Sequence, residues 1–195
     1  MLDYELLIQA GGVIRGYKKG ETILEEGGHA RFYYQVVGGE VKMVNTGENG
    51  QEFIQGIFKE GNSFAEPPLF LDVAYPASAI ALTDCDVIVL EKTKLLDLLS
   101  QHFTLQLQLV KSLSERIYFK SMIAKEISLY DASHRIITLI DFLKERDGYS
   151  GKLYPVNLTR QQIADLTGLR VETVIRAIKY LTEKELVQKG RKIYR

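Results

Sequence analysis

The sequence predicts an α+β fold in which a small antiparallel barrel or sandwich is followed by a long helix and then by a cluster of short helices. Three observations predict it. Over roughly the first hundred residues, short runs of β-branched and aromatic residues alternate with glycine turns. From Thr93 the pattern turns helical and continues with few breakers to about Leu129. The stretch Leu158–Leu181 then spells two short helices at the spacing of a helix-turn-helix.

The strands are expected at Val13–Tyr17, Thr22–Leu24, Phe32–Val37, Val41–Val44, Phe53–Phe58, Ala77–Leu82 and Val87–Leu90. Turns separate them at Lys19-Gly20, Gly27-Gly28, Gly38-Gly39, Gly47-Glu-Asn-Gly50 and Glu60-Gly61. Leu95, Leu96, Leu98 and Leu99 open the helical region. In the long segment from about Thr104 to Leu129, Leu109, Leu113, Ile117, Ala124 and Ile127 form a line like a coiled-coil seam. That line predicts a dimerisation helix, with another face free to pack on the barrel. Asp131 is placed to cap the next helix, which buries Ile136, Ile137, Ile140 and Leu143 and ends near Asp147-Gly148. Three domains are expected: residues 1–101, the helix 102–130, and residues 131–195, with the hinge at Leu129 to Ala132.

In the helix-turn-helix, Thr159 can cap a helix whose third residue, Gln162, reaches back to the cap, with Ile163, Ala164 and Leu166 facing inward. Gly168 supplies the left-handed turn, and a second helix starts near Arg170. Its buried positions are Val174, Ala177, Ile178 and Leu181, which leaves Glu172, Thr173 and Arg176 pointing outward. Arginine can donate two parallel hydrogen bonds to guanine, and glutamate can accept one from the cytosine amino group, so the pair suits a G·C step in the major groove. Charge agrees with this once the chain is divided. The whole carries 25 basic and 25 acidic residues, but Ala132 to Arg195 holds 13 Lys+Arg against 7 Asp+Glu, leaving 12 against 18 before it. Only the C-terminal part has the electrostatic footprint of a phosphate-binding surface.

Composition excludes several other classes. No apolar run reaches the ~20 residues a bilayer span requires, and the start lacks a basic secretory signal, so a cytoplasmic protein without a membrane partner is expected. A single cysteine, Cys85, excludes an internal disulfide, a four-cysteine iron-sulfur cluster and the usual cysteine zinc site. His29, His102 and His134 have no mutual spacing that suggests haem or another metal, and no cofactor is expected. No phosphate loop, nucleophile elbow or paired helical histidines occur, so an enzyme is not expected. Ser133-His134 beside Asp131 is better explained by capping than by a catalytic triad.

A barrel, a long helix, a capped helix and a C-terminal helix-turn-helix, in that order, resemble the Crp-Fnr family of bacterial transcription regulators over almost the whole chain. Tyr17–Gly27, Tyr33–Val41 and Gly61–Phe70 resemble its cyclic-nucleotide-binding β-roll, a double-stranded, jelly-roll-like β-helix, and Leu158 onward resembles its winged helix-turn-helix. The resemblance implies a homodimer that binds near-palindromic promoter DNA and meets RNA polymerase. It implies DNA contacts from Thr159, Arg160, Arg170, Val171, Glu172, Thr173, Arg176 and Lys179. In a wing spanning Glu185 to Arg195, Lys189, Arg191, Lys192 and Arg195 would touch phosphates. Val171-Glu-Thr-Val-Ile-Arg176 is closer to the fumarate-nitrate regulator branch than to the cyclic-AMP receptor, although Ile175 stands where that branch usually has serine.

The sensor end departs from the family. Glu66 matches the glutamate that holds a ribose hydroxyl, but Pro76 stands where an arginine would neutralise the phosphate, with Ala77 beside it. Ala65 replaces an early glycine, Pro67 and Pro68 stiffen the phosphate segment, and Lys120 replaces a base-contacting threonine beside the retained Ser121. Regulation by cyclic AMP is therefore not expected, and the effector is unknown or absent. Two readings of the interior stand side by side. In one it is a scaffold without ligand, with Glu66 solvated or paired to Lys120. In the other it holds a different molecule against Phe64, Glu66, Leu69, Phe70, Tyr75, Lys120 and Ser121. A cyclic-nucleotide-binding regulatory module without DNA contact is the alternative for the whole chain, and both the basic helix-turn-helix and Pro76 count against it.

Overall fold

The computed structural model describes residues 2–48, 50, 52–184, 186–190 and 192–195, leaving aside the side chains of Ile127 and Ser128. The chain divides into two compact units, Met1–Ser114 and Glu115–Arg195. In the first, α1 (Tyr4–Gln9) precedes β1 (Val13–Tyr17), β2 (Thr22–Leu24), β3 (Phe32–Gly38), β4 (Glu40–Thr46), β5 (Glu52–Lys59) and β6 (Ser63–Phe64). Then come α2 (Glu66–Leu71), β7 (Ser78–Ala81), β8 (Cys85–Glu91), α3 (Lys92–Gln101) and α4 (Phe103–Leu129), which runs on into the second unit.

The strands form two antiparallel sheets, ordered β1-β8-β3-β6 and β2-β7-β4-β5. Period-two alternation explains how one sheet serves two cores. Val87 and Val89 of β8 join Tyr34 and Val36 of β3, Val41 and Met43 of β4, and Ala79 and Ala81 of β7 inside the roll. Ile88 and Leu90 point the other way, with Tyr33, against Leu7 of α1, Leu95, Leu98 and Leu99 of α3, and Leu105 and Leu109 of α4. Helices cover that outer face, so β8 reads as an unbroken apolar run rather than as an alternating strand.

Three short elements of this unit lie outside the sequence expectations. α1 is too brief for a periodic signal, although Asp3 accepts a hydrogen bond from Leu6 N at 3.0 Å as its cap. β6 has only two residues. α2 carries Pro67 and Pro68, which read as breakers; they sit in the first helical turn, where a missing N–H leaves no bond unmade. The expected turn at Gly47-Glu-Asn-Gly50 includes Asn49, which lies outside the described residues.

The seam on α4 needs correction. Leu109 is 7% exposed and belongs to the outer core, and Leu113 is half-buried against it. The large apolar side chains that α4 leaves exposed, among the described residues, are Phe103, Leu107, Val110, Ile117, Tyr118 and Leu129. Leu107, Val110 and Ile117 keep coiled-coil spacing, with Ser114, Ser121 and Ala124 at the intervening positions. The Ile127 side chain lies outside the described residues.

The second unit contains the end of α4, α5 (Ala132–Arg146), β9 (Pro155–Val156), α6 (Arg160–Thr167), α7 (Val171–Thr182), β10 (Val187–Lys189) and β11 (Lys192–Tyr194). Its core is built from Ile136, Leu139 and Ile140 of α5, Ile163 of α6, and Val174, Ile178 and Leu181 of α7, each 2% exposed or less. Asp131 caps α5 by accepting from His134 N at 2.9 Å. Side chains tie α5 to the end of α4: Phe119 stacks on Phe142 at 4.2 Å, and the His134 ring stacks on Tyr130 at 4.2 Å. His134 Nε2 lies 3.2 Å from Glu126 Oε2, at ion-pair distance though poorly aligned for a hydrogen bond. The strands form a small sheet ordered β10-β11-β9. Among the described residues, no helix is long and apolar enough to cross a membrane.

The buried phenols inside the roll make its stability sensitive to alkali. Burial, and then the neighbouring Tyr75, push the Tyr34 phenol above its ordinary value, and burial pushes Tyr75 up as well. Both ionise more readily in the unfolded chain. The stability they confer is therefore complete below pH 10 and is lost as pH rises beyond it. Urea unfolding compared between about pH 8 and about pH 11 is expected to show this loss, and Tyr34→Phe to reduce its slope.

Candidate nucleic-acid interface and sensor interior

The helix-turn-helix is assembled from local chemistry before any tertiary contact. Thr159 Oγ1 accepts from Gln162 N at 3.0 Å while Gln162 Oε1 accepts from Thr159 N at 2.8 Å, a reciprocal box that fixes the start of α6. Gly168 closes the helix at φ 65°, where a side chain would be strained. Its neighbour Leu169 donates from N to Ala164 O at 3.0 Å. Ala164 is 1% exposed, and its small side chain allows α7 to cross closely.

α7 is strongly two-faced. Val174, Ala177, Ile178 and Leu181 are buried, while Glu172, Ile175, Arg176, Lys179 and Tyr180 are exposed. Val171 and Thr173 are half-buried beside them, and Arg170, the N-cap residue, is exposed. On α6, Thr159 is exposed and Arg160 half-buried, with burial lowering the basicity of its guanidinium. The β10–β11 hairpin carries Lys189 and Lys192, both exposed. Arg191 and Glu185 lie outside the described residues. Arg195 departs from its expected place on phosphate: its guanidinium grips Asp141 with two bonds, Nε to Oδ1 at 2.8 Å and a second nitrogen to Oδ2 at 3.0 Å. The outward face thus presents carboxylate, guanidinium and ammonium groups on one rigid helix, with a basic hairpin in the same unit.

Ile175, singled out in the sequence only for standing where the related branch has serine and not expected among the contacts, is 52% exposed on that face. Its position three residues after Glu172 was the available signal, because residues three apart share a helix face. Tyr180 was missed too; the Lys184 ammonium lies 4.4 Å from its ring centre.

Within the first unit the sensor candidates do not share one wall. Phe64 and Tyr75 lie in the interior cluster of the roll, whereas Leu69 and Phe70 belong to the outer core beside the helices. Lys120 and Ser121 are exposed on the part of α4 within the second unit. Partial desolvation, and then the Arg116 charge one turn earlier, lower the Lys120 ammonium. Glu66 is fully buried at the start of α2, so the solvated position suggested for it does not hold. Inside the roll, Phe64 stacks on Tyr34 at 5.3 Å and lies 5.8 Å from the Phe58 ring. Tyr75 is 5% exposed, and its hydroxyl makes no well-formed hydrogen bond.

The side chains hydrogen-bonded at and beside the Pro76 carbonyl are amides and a carboxylate. Pro76 is exposed, and its carbonyl accepts from Asn45 Nδ2 at 2.6 Å. The same amide lies 3.1 Å from a Glu26 carboxylate oxygen, and Gln55 donates to Asn45 Oδ1 at 2.7 Å. Pro67 and Pro68 remove two N–H groups from the first turn of α2. Ala65 holds φ 61° just before it, a conformation that glycine adopts without cost.

Comparison with known proteins agrees with this architecture. A family model for the cyclic nucleotide-binding domain matches residues 14–102, and one for the Crp-like helix-turn-helix domain matches residues 134–195. The chain is 26% identical over 180 residues to the cAMP-activated global transcriptional regulator CRP of Salmonella typhimurium, covering 89% of this chain and 84% of that protein. It is 27% identical over 176 residues to the transcriptional activator protein Anr of Pseudomonas protegens, covering 89% and 72%. Among solved structures, FixK2 from Bradyrhizobium japonicum superposes with a TM-score of 0.77 at 24% identity, covering 93% of this chain and 91% of that one. With its nucleotide-binding-like roll, its long helix and its capped helix-turn-helix, the chain belongs to the Crp-Fnr family of DNA-binding transcription regulators.

Proposed function

We propose that this protein is a cytoplasmic homodimer that binds near-palindromic promoter DNA sequence-specifically, meets RNA polymerase there, and does not respond to cyclic AMP. The observation that carries the reading is the outward face of α7, where Glu172, Arg176 and Lys179 stand exposed above a fully buried apolar stripe. Thr159, Arg160, Arg170, Val171 and Thr173 accompany that face, and the phosphate contacts proposed for the wing fall to Lys189 and Lys192, with Arg191, outside the described residues, assigned the same role from the sequence. Residues 1–101 form the sensor domain, 102–130 the dimerisation helix and 131–195 the DNA-binding domain. The CRP relatives are described as cAMP-activated. Against carrying that property over stand Pro76 in place of a cation, Glu26 close to it, and the shortened donor set of α2. The aromatic packing of Phe64 on Tyr34 favours a roll interior filled by its own side chains.

Dimerisation is supported by the apolar line Leu107, Val110 and Ile117 on α4, an exposed stripe that a lone helix in water would not retain. Leu107→Glu with Ile117→Glu is expected to give a monomer in sedimentation that no longer binds DNA. Leu113 is unsuited to this test because it packs on the first unit's own core.

Selection of bound sequences from a random DNA pool tests the main reading. Two half-sites about 34 Å apart are expected, each with a G·C pair read by Arg176 and Glu172. Arg176→Ala is expected to cost about 1–3 kcal/mol and to relax preference at that pair. Lys192→Ala is expected to weaken all sequences alike and to flatten the salt dependence. An unchanged selected motif with Arg176→Ala would show that α7 is not the reading helix.

Calorimetric titration with cyclic AMP or cyclic GMP is expected to give no heat, and DNA affinity to be the same with and without them. Burying a phosphodiester without a paired cation is costly. Tight binding of either nucleotide would refute this reading, and Pro76→Arg is the reverse test.

A further inference from the structure

We infer that Ile175 is a specificity residue that reads the 5-methyl group of a thymine in each half-site, next to or one removed from the guanine read by Arg176. The inference rests on the DNA-binding reading and deepens it. Ile175 is 52% exposed in the interior of α7, one turn after Glu172, one turn before Lys179 and beside Arg176. Its side chain therefore shares the face that carries the polar reading groups, opposite Val174, Ala177, Ile178 and Leu181.

Neither helix propensity nor the buried stripe requires an isoleucine there. A β-branched residue in an exposed helical position is a weaker helix former than alanine, arginine or glutamate, and this one leaves half its surface in water. Recognition gives a reason for it. An alkyl side chain offers neither donor nor acceptor, so it can read the major groove only by van der Waals contact and by excluding water. The apolar feature that a standard base pair shows on that floor is the thymine methyl. Isoleucine suits the task because branching at Cβ holds its χ1 in essentially one rotamer on a helix. Its methyl groups are thus placed before the DNA arrives, and little side-chain freedom is lost on contact. Glu172 and Arg176 beside it set the register of the contact, since both suit a G·C step.

The test uses the full chain. After the preferred site has been selected from a random pool, synthetic duplexes of that site are made with each thymine in turn replaced by deoxyuridine, which removes the methyl and keeps every hydrogen-bonding group. The wild type is expected to bind about fourfold more weakly when one particular thymine per half-site is replaced, the effect of losing one buried methyl-sized contact. Ile175→Ala is expected to bind the thymine and uracil duplexes alike, to lose preference at that base pair, and to keep the guanine preference that Arg176 provides. Its circular dichroism and unfolding midpoint should match the wild type, because the residue is exposed on a helix that alanine favours. A wild type indifferent to deoxyuridine at every position, or an Ile175→Ala variant that retains the penalty, overturns the inference while leaving DNA binding intact. A selection that enriches no sequence overturns the DNA-binding reading and this inference with it.

Discussion

What the second unit can offer to DNA depends on one stripe of apolar side chains along α7. Val174, Ile178 and Leu181 are each 2% exposed or less, and burying such a side chain stabilises by roughly 1.5–3 kcal/mol. The stripe is also what makes the segment a helix. Val171, Thr173, Val174, Ile175, Ile178 and Thr182 are β-branched, a composition that disfavours an isolated helix, so α7 exists because α5 and α6 receive its inner face. The orientation of Glu172, Arg176 and Lys179 follows from that packing. A single buried residue lost from α7 would therefore disturb recognition as well as stability, even though it touches no nucleic acid.

The first unit obeys a different constraint. Its sheet of β1, β8, β3 and β6 supplies side chains to two cores at once, and the division is made residue by residue along β8 and β3. Tyr33 goes to the helices and Tyr34 to the interior, so adjacent tyrosines report on different surroundings. Alanines at 77, 79 and 81 leave room for the aromatic rings of Tyr34, Phe64 and Tyr75. Aromatic packing of this kind offers little to a charged phosphate.

Legibility in the sequence followed the length of each signal. Glycine-bounded runs revealed strands such as Val13–Tyr17 and Thr22–Leu24, and a capping residue with a distant glycine revealed α6 to the residue. α1, with six residues, and β6, with two, escaped because neither shows a period of its own, and α2 escaped because its prolines are harmless only in a first turn. On α4 the periodicity was visible but its phase was not. Leucines occur on both sides of that helix, and sequence alone does not say that Leu109 faces the protein's own core while Leu107 faces outward. Ile175 was left out of both the buried set and the contact set for a related reason: an apolar residue on the polar side of a helix matches neither pattern.

The junction between α4 and α5 has a mechanical meaning. A break in a helix is ordinarily a swivel, yet at Tyr130-Asp131 the chain is bridged by aromatic stacks, Phe119 on Phe142 and Tyr130 on His134, and by a carboxylate only 4% exposed beside that same histidine. Rotating α5 against the end of α4 would separate both stacks and draw the His134 ring away from the buried Glu126 side chain 3.2 Å from it. The break between α4 and α5 is thus spanned by side chains as well as by backbone, and turning one helix against the other carries the cost of unstacking two ring pairs, which a bare loop would not impose.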